Sequence, residues 1–221
     1  MYSRLGTAIK RILDFCVALA GLILLSPLFL IIAILIKLYG GKGPVLFVQE
    51  RATKGYKPFR MLKFRSMYVG AEEISKKGGS VQKQITPIGK KLRRIHFDDW
   101  PQLWNVLKGE MSLVGIRGKP FWELERLAKE DKRWKERHAV KAGMTSLDRL
   151  LFYVPKKRTK FISELDQGEK LKKQLEQAFE RNEHLYYVLE VDMYYVKHCS
   201  LKLDFFIFFH TIAFILKGCL K

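Results

Sequence analysis

The hydrophobic pattern of the chain begins with one long apolar run close to the amino terminus. Phe15 to Ile36 contain no formally charged residue over 22 positions, FCVALAGLILLSPLFLIIAILI. An unbroken helix of that length is about 33 Å long, enough to cross the hydrocarbon core of a bilayer. The run is long for a cleaved signal peptide, and Lys37-Leu38-Tyr39 follows it in place of a small-residue cleavage site. The pattern therefore predicts a membrane segment.

Ser26 and Pro27 lie near the middle of this run and predict a break in the helix. Pro27 lacks a backbone donor and clashes with the carbonyl of Ile23, and the Ser26 hydroxyl can donate to a carbonyl freed by the bend. The flanks on both sides are basic: Arg4, Lys10 and Arg11 before the run, and Lys37, Lys42, Arg51, Lys54 and Lys57 after it. Because basic flanks stay cytoplasmic, a re-entrant helix–break–helix within one leaflet fits this pattern. A kinked spanning helix is the alternative.

Beyond the apolar run the pattern changes from strands to helices. Residues 44–67 predict two short strands around a turn at Thr53–Lys57 that contains Gly55. Residues 70–84 are rich in Gly, Ser and Lys and predict a loop. From Thr86 onward the spacing is helical. Amphipathic helices are predicted at 121–139 and 163–190.

The last apolar stretch, FFIFFHTIAFIL at 205–216, is too short to span a membrane and lies between Lys202 and Lys217. It predicts an interfacial amphipathic helix, and a buried core helix is the alternative. The elements together predict a mostly helical α+β fold, associated with one membrane leaflet. Residues 1–40 would form the helix–break–helix, and residues 41–221 a cytoplasmic catalytic region with a small β-hairpin and interfacial helices, as one functional domain.

The charge of the chain points to a polyanionic partner. Lys and Arg number 41 against 22 Asp and Glu, a formal net charge of +19, and 48% of the residues are hydrophobic. That composition excludes wholesale disorder, and the charge indicates nucleic acid, anionic lipid headgroups or a phosphorylated substrate. Cys16, Cys199 and Cys219 are too few and too scattered for a disulfide framework or a zinc cluster. Reduced thiols in a protein facing the cytoplasm are expected.

The strongest candidate for chemistry is a pair of carboxylates, Asp98 and Asp99, just before Trp100-Pro101. Because Asp caps helices and Pro is tolerated in a first turn, the pair is predicted to open a helix. Nearby in sequence are several cations: Lys90, Lys91, Arg93, Arg94 and Arg117. Carboxylates that can hold Mg²⁺ beside phosphate-binding cations suit chemistry at phosphorus. An N-cap with solvated charges is the alternative.

A set of motifs in fixed order resembles the monotopic phosphoglycosyl transferases, a bacterial sugar transferase family. A basic KRILDF segment leads into the apolar run broken at Ser26-Pro27. The further matching segments are PVLFVQER (Pro44–Arg51), LKFRSM (Leu62–Met67), TPIGKKLRR (Thr86–Arg94), DDWPQLWNVLKGEMSLVG (Asp98–Gly115), DMYYVKHCSLKLD (Asp192–Asp204) and Thr211. They cover about residues 9–118 and 190–212, and the ordered set is far more specific than any one motif.

The resemblance implies a defined activity. Such enzymes transfer a phospho-sugar from a nucleotide diphosphate sugar, usually a UDP-sugar, to undecaprenyl phosphate, with Mg²⁺, at the cytoplasmic face of the bacterial inner membrane. An aspartate forms a covalent phosphosugar intermediate, and Asp98 falls on this nucleophile. Asp99 falls on the neighbouring glutamate, which serves the metal. The product starts surface glycan synthesis, including lipopolysaccharide and exopolysaccharide. The expected partners include an anionic membrane surface and no nucleic acid, and a homodimer is compatible with this interpretation.

Four basic residues are candidates for binding substrate phosphate. Lys63 and Arg65 are two positions apart on a predicted strand and therefore share a face, although ordinary surface charge explains them equally well. Arg94 and Arg117 are candidates for the diphosphate or the lipid phosphate, because a guanidinium binds phosphate in a bidentate manner.

The sequence departs from the family pattern in the region expected to bind the nucleotide. The family's Asp-Glu is Asp-Asp here, and its Val-Gly-Pro-Arg-Pro reads VGIRG at Val114–Gly118. Its Pro-Gly-Ile-Thr-Gly segment is AGMTS at Ala142–Ser146, and the Gln and Asn-Gly-Arg signature that follows is missing. Arg149 and Arg158 are candidates to replace the missing arginine.

Three interpretations follow. The first is an active phosphoglycosyl transferase with an altered donor pocket. The second is a catalytically impaired family member that serves as a membrane-bound assembly or regulatory partner. The third, a basic membrane protein that binds nucleic acid, is disfavoured because the cations lie within the family motifs and at membrane flanks.

Overall fold

The computed structural model describes residues 2–153, 158–165, 168–180 and 184–219. These residues form a mostly helical α+β fold with two small sheets. The helices are α1 (Arg4–Tyr39), α2 (Ala71–Lys76), α3 (Pro87–Arg94), α4 (Gln102–Lys108), α5 (Phe121–Glu130), α6 (Arg133–Glu136), α7 (Leu147–Tyr153), α8 (Arg158–Ser163), α9 (Gly168–Glu180), α10 (His184–His198) and α11 (Leu201–Cys219). The strands are β1 (Leu46–Thr53), β2 (Lys57–Phe64), β3 (Ser112–Val114), β4 (Ile116–Arg117) and β5 (Ala142–Thr145).

Helix α1 contains the predicted membrane segment and is long and apolar enough to cross a bilayer. It begins after Ser3, whose side chain accepts a hydrogen bond from the backbone of Gly6 at 3.0 Å. The expected division into two helices at Ser26-Pro27 does not occur, because helical residues continue through both positions. The Ser26 hydroxyl donates to the carbonyl of Ile23 at 2.8 Å, which satisfies the group that Pro27 leaves without its usual partner. The re-entrant path through a membrane stays a prediction.

Both halves of α1 pack against the rest of the chain. Ala18, in the first half, is fully buried in a cluster with Met61 of β2 and Leu103 of α4. Ile36, near the end of the helix, is also fully buried, in a cluster that includes Phe64. Both halves of the helix therefore contact the protein core on one side, while residues such as Ile23, Leu24 and Leu30 remain exposed.

Two polar side chains fix the first half of α1. The Arg11 guanidinium donates to the carbonyls of Val106 and Leu107, both at 2.7 Å, at the carboxyl end of α4. A cation at this end also complements the helix dipole. Asp14 is buried and accepts hydrogen bonds from the Ser112 hydroxyl at 2.7 Å and from the backbone of Leu113 at 3.1 Å. These contacts set the position of α1 relative to α4 and β3.

Strands β1 and β2 form the predicted antiparallel hairpin, with Leu46 opposite Phe64 and Thr53 opposite Lys57. A short 3-10 turn, Lys54–Tyr56, joins them. Gly55 adopts a φ of 74°, a conformation that glycine reaches without the steric cost of a side chain. The prediction of two strands around this glycine is confirmed.

A second sheet, of strand order β3-β5-β4 with parallel pairing, was not predicted. Gly115 and Gly143 lie where its strands approach closely. A Cβ added at Gly143 would be 2.2 Å from the backbone nitrogen of Gly115, so only glycine fits there. The main hydrophobic cluster covers this sheet with residues from α7, α10 and α11, among them Leu150, Val191 and Ile207.

The amphipathic helices differ in detail from their predictions. The predicted helix at 121–139 is divided into α5, α6 and a 3-10 turn at Arg137–Ala139. Asp131 lies at the first division, where its carboxylate accepts from the backbone of Arg133 at 2.8 Å. The predicted helix at 163–190 corresponds to α9 and the start of α10, and residues 166–167 and 181–183 lie outside the described residues. The predicted loop at 70–84 contains the short helix α2.

Helix α11 combines the two alternatives considered for the last apolar stretch. Leu203, Ile207 and Thr211 are buried against the core. Phe205 and Phe209 are 45% and 60% exposed. One side of α11 therefore belongs to the core, and the other presents aromatic side chains at the surface.

Candidate active site

Asp98 and Asp99 lie in a short 3-10 turn, Phe97–Asp99, between α3 and α4. Both carboxylates are largely buried, with 8% of each residue exposed. His96, which precedes the turn, has a φ of 57°, in the left-handed region that non-glycine residues seldom adopt. The prediction that the pair caps a helix is wrong, because α4 begins after Pro101 and no side chain caps it. The buried pair lies instead among the cations Lys63, Arg93 and Arg149.

Asp99 is held by three side chains. Its Oδ1 lies 2.8 Å from Lys63 Nζ and accepts from Gln102 Nε2 at 2.6 Å. Its Oδ2 accepts from a terminal nitrogen of Arg149 at 2.8 Å. Burial alone would raise the pKa of Asp99, but the charges and hydrogen bonds of Lys63 and Arg149 outweigh it and hold that pKa well below its ordinary value. Asp99 is therefore ionised at neutral pH.

Asp98 has a different environment, although it is the adjacent residue. The nearest cation to its Oδ2 is Arg93, whose Nε lies 3.9 Å away, too far for a hydrogen bond. Burial and the negative charge of Asp99 raise the pKa of Asp98, against the opposing charges of Lys63, Arg93 and Arg149. Asp98 is thus the more basic carboxylate of the pair, which suits an oxygen nucleophile.

Three cavities meet at this pair. The first, which we call the outer cleft, has a volume of about 490 Å³ and is lined by Asp98, Arg93 and Lys63 among others. The second, the basic cavity, has a volume of about 90 Å³ and is lined by Asp99 and four cations: Arg51, Lys63, Arg117 and Arg149. The third, the apolar groove, has a volume of about 200 Å³ and reaches Asp99 and Arg149 from between α1 and α11.

The basic cavity joins the other two. It shares Arg51 and Lys63 with the outer cleft, and it shares Asp99, Met144 and Arg149 with the apolar groove. Four cations around one carboxylate leave a net positive charge in this cavity. Such a site attracts a phosphate or diphosphate group.

The four predicted phosphate ligands have different locations. Lys63 and Arg117 line the basic cavity, and Arg117 also lies 3.5 Å from Asp148. Arg65 lines the outer cleft, but it is buried, and its terminal nitrogens donate to the backbone carbonyls of Lys42 and Gly41 at 2.5 and 2.8 Å. In this structure Arg65 therefore holds the segment that follows α1.

Arg94 is exposed at the end of α3 and does not line any of the three cavities. Its neighbour Arg93 is the arginine close to Asp98, and it also donates to the Ser66 hydroxyl at 3.0 Å. Ser26 and Pro27 lie on α1 and line none of the three cavities either.

Sequence reasoning missed Arg51 and Gln102 as residues of the site. Gln102 belongs to it because its side-chain amide donates to Asp99. Burial lowers the pKa of Arg51 to about 10, and its guanidinium is fixed by Gln49 and by the carbonyl of Gly118. Arg149, one of two candidates for the missing arginine, does reach the site, and the side chain of Arg158 lies outside the described residues.

The donor set at this site fits a magnesium ion that is shared with a phosphorylated substrate. Mg²⁺ is held in proteins by one or two carboxylates and completes its shell with water and substrate phosphate oxygens. Asp98 and Asp99 supply such carboxylates. Within the described residues, no group of three or more His, Cys, Asp or Glu side chains is arranged to hold a metal by itself.

The chain is similar in sequence to known bacterial sugar transferases. The family model for bacterial sugar transferases matches residues 5–218. The UDP-N-acetylgalactosamine-undecaprenyl-phosphate N-acetylgalactosaminephosphotransferase of Aeromonas hydrophila is 34% identical over 211 residues, 95% of this chain and 44% of that protein. The UDP-glucose:undecaprenyl-phosphate glucose-1-phosphate transferase of Klebsiella pneumoniae is 34% identical over 205 residues, 92% of this chain and 39% of that protein.

A third relative, the exopolysaccharide production protein PSS of Rhizobium leguminosarum bv. phaseoli, is 40% identical over 147 residues, 63% of this chain and 72% of that protein. The chain spans less than half the length of the Aeromonas and Klebsiella relatives. The family model nevertheless covers nearly all of this chain, and the matched region includes every cavity around Asp98 and Asp99. The chain therefore belongs to the bacterial sugar transferase family.

Proposed function

We propose that the protein transfers a sugar phosphate from a UDP-sugar to polyprenyl phosphate, giving a polyprenyl diphosphate sugar that initiates surface glycan synthesis. The observation that carries this proposal is the pair of buried carboxylates with opposite pKa shifts, Asp98 raised and Asp99 lowered, at the junction of a basic cavity and two larger cavities. The names of the relatives give the substrate classes, a UDP-sugar and undecaprenyl phosphate.

In the first half-reaction, a carboxylate oxygen of ionised Asp98 attacks the β-phosphorus of the UDP-sugar. A bond forms between that oxygen and the phosphorus, and the bond from the phosphorus to the oxygen bridging the two phosphates breaks. UMP leaves with the bridging oxygen and its electron pair. Lys63 and Arg93, which line the outer cleft together with Asp98, stabilise the negative charge on the transferred group and on the leaving phosphate.

In the second half-reaction, a phosphate oxygen of polyprenyl phosphate attacks the same phosphorus atom. The bond to Asp98 breaks, and the carboxylate returns to its ionised form. The two steps conserve charge and need no redox partner. Splitting one transfer into two displacements at a single nucleophile is the usual advantage of covalent catalysis.

Mg²⁺ is the cation that we propose for this site, where it would offset the charge of the diphosphate. Asp99 is the carboxylate that we assign to it. Lys63, Gln102 and Arg149 fix the orientation of Asp99 and keep it ionised. These side chains therefore prepare a hard oxygen ligand beside the nucleophile.

We further propose that α1 enters and leaves the cytoplasmic leaflet of the bacterial inner membrane. The support comes from its contacts near both ends. Lys10 lies 2.7 Å from Asp204, which precedes the exposed aromatic side of α11, and Ile36 packs in a cluster with Phe64 beside the outer cleft. A spanning helix would carry one of its ends away from the cytoplasmic region. Basic residues at both flanks would then lie near anionic lipid headgroups.

The covalent step can be tested by intact-protein mass spectrometry. The purified protein is incubated with Mg²⁺ and a panel of UDP-sugars in the absence of acceptor lipid. We expect the mass of one phosphosugar to be added to the wild type and to be absent from Asp98→Asn. Glu130→Gln is the matched control, because Glu130 is an exposed carboxylate at the end of α5 that lines none of the three cavities, and it should retain the adduct.

The alternative is a catalytically impaired member with an assembly or regulatory role. Absence of both the adduct and polyprenyl phosphate turnover with a broad panel of nucleotide sugars, from protein that unfolds cooperatively in detergent, would support that alternative. If this alternative is correct, the Asp98→Asn variant would also support glycan assembly in cells as the wild type does.

A further inference from the structure

Neither half-reaction of the proposed mechanism assigns a role to the apolar groove. Its walls come from α1 on one side, with Val17 and Gly21, and from α11 on the other, with Phe208 and Ile212. Met144 of β5 lines it near the point where it meets the basic cavity. Most of its surface is hydrocarbon, so a charged nucleotide would be poorly solvated there.

The inner end of the groove is polar. Asp99 and Arg149 line it, and both also line the basic cavity, which carries the further cations Arg51, Lys63 and Arg117. The hydroxyl of Thr211 on α11 lies 2.9 Å from that of Thr145 on β5, which ties the wall formed by α11 to the sheet. A ligand in the groove would therefore place its head at the same cations that face the diphosphate.

The outer end of the groove opens on an apolar surface. Val17 and Ile212, which line the groove, are 40% and 37% exposed. Leu13 on α1 and Phe209 on α11 are exposed nearby in sequence. Exposed apolar side chains at a cavity mouth are typical of contact with lipid or another apolar partner.

We propose that the apolar groove binds the isoprenoid units next to the phosphate of the acceptor lipid, with that phosphate at Arg149 in the basic cavity. This inference rests on the proposed function. A ligand with a long hydrocarbon tail and an anionic head matches a groove that is apolar at its mouth and meets the basic cavity at its inner end. The nucleoside of the donor then occupies the outer cleft, and the two substrates use the basic cavity in turn for their phosphates.

The inference can be tested by narrowing the groove. Val17→Trp places a large side chain at its mouth, and Leu24→Trp is the matched control, since Leu24 is 78% exposed on the same helix and lines none of the three cavities. The measurement is the ratio of kcat/KM for undecaprenyl phosphate to kcat/KM for a five-carbon prenyl phosphate. We expect Val17→Trp to lower this ratio at least tenfold, with adduct formation from the UDP-sugar unchanged. Leu24→Trp should keep the ratio of the wild type.

A second measurement does not depend on turnover. A polyprenyl phosphate that carries a photoreactive group on its second isoprene unit is irradiated with the wild-type protein in detergent micelles, and the labelled peptides are identified. We expect labels on α1 around Val17 and Gly21 and on α11 around Phe208 and Ile212, and excess phosphatidylglycerol should not remove them.

Two results would overturn the inference while leaving the proposed function intact. One is an unchanged chain-length ratio in Val17→Trp from a protein that still forms the adduct. The other is labelling only outside the groove, or labelling that ordinary phospholipid abolishes. Failure of the wild type to form an adduct or to turn over polyprenyl phosphate would instead contradict the proposed function, and the labelling would still report whether the groove binds an isoprenoid phosphate.

Discussion

At the scale of single residues, the site depends on how two adjacent carboxylates are made different. Asp99 has three polar partners, and its pKa is lowered. Asp98 has no partner within hydrogen-bonding distance among its described contacts, and its pKa is raised. Environments that separate the pKa values of neighbouring groups assign them separate chemical roles. In the proposed mechanism this difference separates the nucleophile, Asp98, from the carboxylate assigned to Mg²⁺, Asp99.

The raised pKa of Asp98 predicts the acid side of the pH profile. In the proposed mechanism the ionised carboxylate of Asp98 is the nucleophile, so we expect adduct formation to fall as the pH decreases through this pKa. Asp99→Asn removes a neighbouring negative charge and lowers the pKa of Asp98, which moves this fall to lower pH even if the maximal rate decreases. The rate of adduct formation against pH measures the shift, and an acid limb that stays in place in Asp99→Asn would contradict the assignment.

Arg149 is predicted to replace the arginine that the family motif provides. A charge-assisted hydrogen bond contributes about 1.5–3 kcal/mol, so Arg149→Gln should slow adduct formation about tenfold or more. Arg126→Gln is the control, because Arg126 is exposed on α5 and lines none of the three cavities. Steady-state kinetics compare the two variants, and equal rates would contradict a role for Arg149 in adduct formation.

At the scale of elements, hydrogen bonds connect α1 to α4 and connect α4 to the carboxylate pair of the site. Arg11 of α1 donates to the last carbonyls of α4, and Gln102 at the start of α4 donates to Asp99. A shift of α4 relative to α1 would thus move Gln102, which donates a hydrogen bond to Asp99. A misplacement of about 1 Å can reduce a rate by about 10²-fold.

This connection predicts the effect of replacing Arg11. Arg11→Met removes both hydrogen bonds to α4 and should lower the free energy of unfolding by about 1.5–3 kcal/mol. Arg4→Met, at an exposed position on the same helix, should have little effect. Thermal unfolding in detergent measures both variants. Similar melting temperatures for the two would show that the Arg11 contacts contribute nothing to stability.

Some elements were predictable from sequence because their signals are local. The hairpin follows from two strand-like segments around Gly55, and α1 follows from an uninterrupted apolar run. The second sheet was not predictable, because β3, β4 and β5 are two to four residues long and pair in parallel with strands distant in sequence. The sequence could not distinguish Arg93 from Arg94 for a related reason, since only the packing of α3 decides which of two adjacent arginines lies near Asp98.

At the scale of the whole molecule, a buried ion pair links the segment after α6 to α10. Arg137 is fully buried, with a terminal nitrogen 3.0 Å from Asp192 and another donating to the carbonyl of Arg117. Arg117 lines the basic cavity, so this pair also supports a wall of the site.

The buried pair makes a prediction about stability. Arg137→Met leaves Asp192 buried without its partner and should cost about 3–5 kcal/mol. Replacing both residues, as Arg137→Met with Asp192→Leu, should recover most of that loss because no buried charge remains unpaired. Denaturant unfolding in detergent measures the free energy of unfolding of the wild type and of both variants. A double variant as unstable as the single one would mean that packing, not charge, governs this position.

The path of α1 through the membrane is tested by labelling. In a protein without its native cysteines, Ser3→Cys and Lys42→Cys place a thiol just outside each end of the helix. A membrane-impermeant maleimide should label both in inverted membrane vesicles and neither in intact spheroplasts. Labelling of the two positions from opposite sides would show a spanning helix.

The burial of α1 has a further consequence for how the protein matures. Ala18 and Ile36 are fully buried in clusters with residues from the rest of the chain, and Asp14 accepts hydrogen bonds from β3. If α1 enters lipid as proposed, its insertion and the completion of the remaining fold would be one coupled event. A detergent that loosens α1 would then reduce activity without contacting a catalytic side chain.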